Sequence, residues 1–310
     1  MTTHYDIIPD IHADIDRLTR TLSALGYVEG LEGWTHPEKR IAAFLGDFID
    51  TGSANRAVLT LVRAMRDQGH AVAIMGNHEL NALLYHRPGR NAYGTDDGYM
   101  RSHCDENRAQ HQTFLDEFPV GHRDTDEMID WFLTLPLFID LGGLRLVHAC
   151  WDDARISTIR NRRPSGLLAS DDLQEIALEK DASGFSEAVL TTLKGPEAEL
   201  PAPHHFHDTK GNRRTALRLK WWQSGAMTWR DAALSFPDPE TLPATLIPDN
   251  VAVCSYPVEA KPVFFGHYKR LGSPAIDAPN AVCLDYPKVA SAYRWAGEMR
   301  LVSQSLVVID

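Results

Sequence analysis

Three times in its N-terminal third the chain runs an apolar stretch into a polar turn and then into an amphipathic segment. Tyr5-Asp6-Ile7-Ile8-Pro9 leads into Asp10, after which Ile15, Leu18, Leu22 and Leu25 recur at helical spacing. Ile41 to Leu45 leads through Gly46-Asp47 into Ala57, Val58, Leu61, Val62 and Met65, and Ala71 to Met75 leads into Gly76-Asn77-His78-Glu79 and a further helix. Strand, loop and helix repeated in that order predict βα units, whose helices return the chain to the same edge so that the next strand pairs in parallel. The expected fold class is therefore α/β, built in layers.

Beyond residue 86 the grammar changes. Residues 87–125 are polar and weakly periodic and predict a mostly helical insertion; 126–133 predict a helix, and the runs 137–141 and 144–149, joined by Gly142-Gly143, predict a hairpin. Residues 151–255 form a second polar excursion, with helical stretches near 171–180 and 186–193. Within it, Leu217, Leu219 and Trp221 alternate with Arg218 and Lys220, which predicts a strand over 213–222 with one charged face. Strands return at 262–265 and 281–284, followed by a hairpin turning at Ala296-Gly297. One domain over 1–310 is expected, with its core at 1–86, 126–150 and 256–310 and insertions at 87–125 and 151–255.

Charge and cysteine usage narrow the function classes. A formal charge of −11 argues against a general polyanion binder, whose affinity rests on clustered Lys and Arg, so no nucleic-acid partner is expected. No apolar stretch approaches a membrane span, and the start, Met1-Thr2-Thr3-His4-Tyr5-Asp6, lacks the basic and apolar regions of a secretion signal. A cytoplasmic protein with no membrane partner is expected. Cys104, Cys150, Cys254 and Cys283 form no Cys-x-x-Cys pair, which predicts reduced packing residues.

The apolar runs share one property: each ends in a potential ligand. These ends are Asp10-Ile11-His12, Gly46-Asp47-Phe48-Ile49-Asp50, Gly76-Asn77-His78-Glu79, His148 and Gly266-His267. Sites in layered α/β folds assemble outside the carboxyl ends of strands, so positions far apart in sequence can converge. Carboxylate and amide oxygens with imidazole nitrogens suit borderline divalent metals, here Mn, Fe, Zn or Ni.

In this order the motifs D-x-H, G-D-x-x-D, G-N-H-E, a later His and G-H resemble the calcineurin-like metallophosphoesterases, and the G-N-H-E form resembles the branch of protein Ser/Thr phosphatases and diadenosine tetraphosphatases. The resemblance implies a layered α-β-β-α sandwich of mixed sheets. It implies that Asp10 and His12 hold one metal, that Asn77, His148 and His267 hold a second, and that Asp47 bridges both. It also implies that His78 protonates the leaving group, oriented by Asp50, although an Asp before Thr51-Gly52 can also serve a turn or helix cap. Two cations about 3.5–4 Å apart can clamp a phosphoryl group and generate a hydroxide nucleophile near neutrality.

The chain departs from that pattern in three places. Asp50-Thr51-Gly52 lacks the arginine of the phosphatases' G-D-x-V-D-R-G, Ala13 replaces the glycine of D-x-H-G, and Gly266-His267-Tyr268-Lys269 lacks a second histidine. Another cation is then expected to bind substrate phosphate, with Arg87, Arg214 and Arg218 as candidates. His204, His205 and His207 read as a solvated loop, Trp151, Asp152 and Asp153 as pocket rim or core, and Glu79 as a first-turn residue favoured by the helix dipole. The expected function is a phosphatase acting on a phosphorylated small molecule or phosphoprotein. The first alternative is a dinucleoside polyphosphate hydrolase, kept open by Trp221-Trp222 beside Arg218; the second is a non-catalytic metal-binding scaffold.

Overall fold

Adjacent residues of the first strand, Ile7 and Ile8, bury in two different cores, because successive side chains of a strand leave opposite faces of its sheet. The structure, a computed structural model, describes residues 3–31, 33–92, 97–179, 183–207, 213–225, 227–234, 236, 238–248, 251 and 254–309. Two mixed sheets are built from β1 (Tyr5–Ile8), β2 (Ile41–Phe44), β3 (Ala71–Ala73), β4 (Phe138–Asp140), β5 (Arg145–Val147), β6 (Val263–Phe265), β7 (Ala281–Cys283), β8 (Ala290–Trp295) and β9 (Leu306–Ile309). The first has the order β9-β8-β1-β2-β3 and the second β7-β6-β5-β4.

Alternation continues across both sheets. Ile7, Ala43, Leu146, Phe264, Val282 and Tyr293 share the core between them, whereas Ile8, Phe44, Val147, Phe265 and Cys283 face the outer layers. Those layers are helical, among them α1 (Ile15–Ala24), α2 (Asn55–Asp67), α3 (Asn77–His86), α4 (Asp105–Glu117), α5 (Arg123–Phe132), α6 (Asp153–Arg162), α7 (Leu173–Leu178) and α8 (Phe185–Lys194). The arrangement is the α-β-β-α sandwich, and each fully buried Ile, Val, Leu or Phe in it contributes about 1.5–3 kcal/mol.

Register sets where the strands end. β1 and β2 pair in parallel from Tyr5↔Ile41 to Ile8↔Phe44, so their carboxyl ends are level. Ile11 and His12 then donate their backbone N–H groups to the Asp47 carbonyl at 3.0 and 2.9 Å. In the second sheet β5 and β6 pair in parallel, and Gly266 N donates to His148 O at 2.9 Å.

Two local expectations are corrected. Residues 213–222 do not form one strand: Arg213–Arg214 pairs with Phe206–His207, Ala216–Arg218 pairs with Glu197–Glu199, and Trp221 and Trp222 turn into the core at 0% and 3% exposure. Alternation cannot register that a chain changes partner after two residues. The C-terminal hairpin does not turn tightly at Ala296-Gly297; β8 ends at Trp295 and β9 begins at Leu306, with a 3-10 turn at Ser303–Ser305 between them. The helix expected at 171–180 is α7, and Lys180 lies outside the described residues. Among the described residues no helix is long and apolar enough to cross a membrane.

Candidate metal centre

Seven of the nine non-glycine residues with positive φ among the described residues lie in three loops at the strand ends: His12, Ala13, Asp47, Asp50, Thr51, His267 and Lys269. Such conformations cost on the order of 1–3 kcal/mol each and persist only where surrounding bonds enforce them. Two motif glycines have a steric reason: a Cβ on Gly76 would collide with the Asp47 side chain and backbone, and one on Gly266 with the Asp10 carboxylate.

Asp47 sits at the centre, 2% exposed. Its Oδ1 accepts the backbone N–H of His78 at 2.9 Å and lies 3.4 Å from His148 Nε2; its Oδ2 lies 3.8 Å from His78 Nε2 and 4.0 Å from His12 Nε2. Burial would raise its pKa, but His148, His78 and His12 together hold it well below the usual carboxylate value. Asn77 Oδ1 lies 3.0 Å from His148 Nε2 and 2.7 Å from His267 Nδ1. Asp10 is buried beside them and accepts the backbone N–H of His267 at 3.1 and 3.2 Å. Burial, with Asp285 and Asp47 nearby, pushes the Asp10 carboxyl well up.

The residues fit divalent cations. Potential donor atoms of His12, Asp47 and His78 lie within 4.8 Å of one another, and so do those of Asp47, His148 and His267, with Asp47 common to both groups. His12 Nε2 is buried without a hydrogen-bond partner in the protein, an arrangement that a Lewis acid would satisfy. Burial lowers His12 to about 4, and burial with Arg218 and His148 lowers His267 well below its ordinary value, so both rings are neutral, as ligation requires. His148 Nδ1 bonds the Leu45 carbonyl at 2.7 Å, which turns Nε2 towards the centre.

The expected acid pair also forms. His78 Nδ1 and Asp50 Oδ2 are 2.6 Å apart, and the other Asp50 oxygen is 2.8 Å from His111 Nδ1. A cavity of about 430 Å³ opens beside Asp10 and His12, lined also by Arg17, Thr51, Lys269 and Asp285. The arginines expected to bind substrate scatter. Arg87 is ion-paired with Asp130, and Arg214 is exposed and pairs in register with Phe206. Arg218 lies 3.4 Å from Glu197, and its charge is felt at His267.

Sequence reasoning missed Glu79, Asp285, Lys269 and His111 as site residues. Glu79 is in the first turn of α3, as expected, yet it is wholly buried with its carboxylate against the Asp47 loop. Asp285 follows the apolar run 281–284, the same strand-end pattern that marked Asp10. His111, in a weakly periodic segment, carries no local signal.

The family model for calcineurin-like phosphoesterases matches residues 4–267. Among curated relatives, the chain is 36% identical over 86 residues to an asymmetrical bis(5′-nucleosyl)-tetraphosphatase of Halalkalibacterium halodurans, covering 28% of this chain and 35% of that protein. It is 33% identical over 105 residues to a symmetrical bis(5′-nucleosyl)-tetraphosphatase of Aromatoleum aromaticum, covering 34% of this chain and 32% of that protein. The matches thus span about a third of those relatives' length. A solved cold-active protein-tyrosine phosphatase of a Shewanella species aligns with a TM-score of 0.48 at 14% identity, over 100% of this chain and 81% of that chain. A protein serine/threonine phosphatase of Saccharomyces cerevisiae aligns at 0.48 and 12% identity, over 99% and 78%. Since the family model spans the strand before Asp10 through His267, and thereby most of the sequence, the chain belongs to the calcineurin-like phosphoesterase family.

Proposed function

We propose that the protein is a metal-dependent phosphoester hydrolase. The observation that carries this reading is Asp47, whose carboxylate faces His12, His78 and His148 at once. Asp10, His12 and Asp47 would hold one divalent cation, and Asp47, Asn77, His148 and His267 a second, drawn from Mn, Fe, Zn or Ni. When bound, such a pair supplies Lewis acidity and brings the pKa of water towards neutrality.

The protein's own groups then handle the leaving side. His78 is the general acid in this reading. Burial would lower its pKa, but in the metal-free protein Asp47 and Asp50 raise it to about 9, which favours the protonated ring. Because Nδ1 is held by Asp50, Nε2 is the atom left to deliver that proton to a departing oxygen. Of the three arginines, Arg218, whose charge is felt at His267, fits substrate phosphate best, with Lys269, exposed on the cavity that His12 also lines, as a second cation.

For the substrate class, the two named relatives support the dinucleoside polyphosphate alternative, in which the bond cleaved is a phosphoanhydride. Phosphorylated small molecules and phosphoproteins remain arms of the same test, and we place the enzyme in the cytoplasm, which cell fractionation checks. The decisive experiment compares diadenosine tetraphosphate, sugar phosphates and phosphopeptides with Mn, Fe, Zn, Ni and Mg in turn, with Asp47→Asn as control. Full activity in a folded Asp47→Asn variant would overturn the centre. No metal-stimulated hydrolysis of any substrate would turn the reading to a binding scaffold.

A further inference from the structure

The Asp50 carboxylate is gripped at both oxygens. Oδ2 lies 2.6 Å from His78 Nδ1 and Oδ1 2.8 Å from His111 Nδ1. Burial would raise the Asp50 pKa, but the hydrogen bonds from His111 and His78 outweigh it and hold the group ionised. An ionised carboxylate only accepts, so both imidazoles donate through Nδ1. A carboxylate held at one oxygen can rotate about its terminal torsion, whereas one held at both cannot without breaking a bond.

His111 is itself fixed at both ends. Its Nε2 lies 3.2 Å from Nε2 of His86, the last residue of α3, the helix that begins with Asn77 and His78. Burial, with His111 and His103 close by, pushes His86 down to about 3, so that ring is neutral. The His111 ring, 5% exposed, stacks on Phe114 at 4.7 Å and meets Tyr85 edge-on at 5.2 Å. Helix α4 also holds the Asp50 backbone: Asp50 N donates to Asn55 Oδ1 at 2.9 Å, and Asn55 donates to Glu117 Oε1 and the Thr113 carbonyl. Asp50 and Thr51 both have positive φ, so this turn needs such restraint.

We propose that His111 is a positioning residue for the acid His78, acting through Asp50, so that α4 orients the proton donor of the reaction. This rests on the assignment of His78 as acid. It differs from a packing histidine in one respect: removing the Nδ1–H donor should impair proton delivery selectively.

The test measures kcat/KM on phosphomonoesters ranging from p-nitrophenyl to simple alkyl leaving groups, for the native enzyme, His78→Ala, His111→Ala, His111→Asn and the double alanine variant. His111→Ala should lose about 10- to 100-fold on alkyl esters and under about threefold on the aryl ester, a muted copy of His78→Ala. The double variant should be no worse than His78→Ala, because the two residues act as one unit. His111→Asn, which keeps an N–H donor, should recover most of the loss and also serves if the alanine variant does not fold. Equal losses on both ester classes, or multiplying losses in the double variant, would overturn the role of His111. A uniform response of His78→Ala would overturn the acid assignment instead. Independent of turnover, NMR should show the His78 Nδ1–H resonance moved in His111→Ala, largely restored in His111→Asn and lost in Asp50→Asn; an unmoved resonance in His111→Ala counts against the positioning role.

Discussion

The carboxylate of Glu79 accepts the backbone N–H of Asp47 at 2.9 Å. Its other oxygen takes the N–H of Phe48 at 2.8 Å, and the first also takes that of Gly76 at 2.9 Å. One buried side chain therefore ties the loop after β2 to the start of α3, which fixes Asp47 against Asn77 and His78. Burial, with Asp47 nearby, pushes this carboxyl up to about 7, the consequence of dense acidity in a dry site.

Glu79→Ala leaves three buried N–H groups without a partner, each at about 1–3 kcal/mol. Urea unfolding should show a loss of at least about 3 kcal/mol, accompanied by weaker cation binding. Glu79→Gln, which keeps one acceptor oxygen, should fall between. A loss under about 1 kcal/mol in the alanine variant would mean that the loops hold their shape without it.

What could be read in the sequence followed from range. Asp10, Asp47, Asn77, His148 and His267 stand directly after apolar runs, and parallel register brings level strand ends together, so a local pattern located them. His111 reaches Asp50 from a segment with little periodicity, and nothing within a few residues of either predicts that contact. Asp285 stands directly after the apolar run 281–284 and carries the same strand-end signal, although it belongs to none of the family motifs. Arg213 to Trp222 failed for the opposite reason: a clean alternation suggested one strand, while burial of both tryptophans decided the chain's path.

Cation uptake should depend on pH through His148. Burial would lower its pKa, but Asp47 and Asp10, with the Leu45 carbonyl, raise it to about 10 in the metal-free protein, against an ordinary 6.5. A protonated ring must release its Nε2 proton to bind metal, so affinity should climb with pH by about tenfold per unit for each proton released. Calorimetric titration in two buffers of different ionisation enthalpy would count those protons. The raised pKa also means that the stabilisation from charged His148 is complete below 6.5 and is lost as pH rises through about 10. Metal-free melts should therefore fall across that window, more steeply than melts of metal-loaded protein. Proton release of zero at pH 7 would contradict the assignment.

Trp222 should matter for stability and not for base stacking. Its ring packs 4.9 Å from Phe265 and 5.8 Å from Trp221, and it is 3% exposed. Trp222→Ala should destabilise by about 3–5 kcal/mol, the usual loss for a buried aromatic. A variant with native stability and a raised KM for diadenosine tetraphosphate alone would place the ring in a nucleotide pocket after all.

Substrate phosphate should be felt by Lys269 and Arg218 and not by Arg87. Lys269 lines the cavity with Asp10 and His12 and is exposed, and the charge of Arg218 is felt at His267. Arg87 is occupied by Asp130. Lys269→Met and Arg218→Ala should each raise KM by about tenfold with a smaller change in kcat, the scale of one charge-assisted hydrogen bond to a phosphate oxygen. Both effects should shrink as salt rises, since an exposed cation is screened within about 8–10 Å at physiological ionic strength. Arg87→Ala should leave KM unchanged; a tenfold rise there, with Lys269→Met silent, would reverse the assignment.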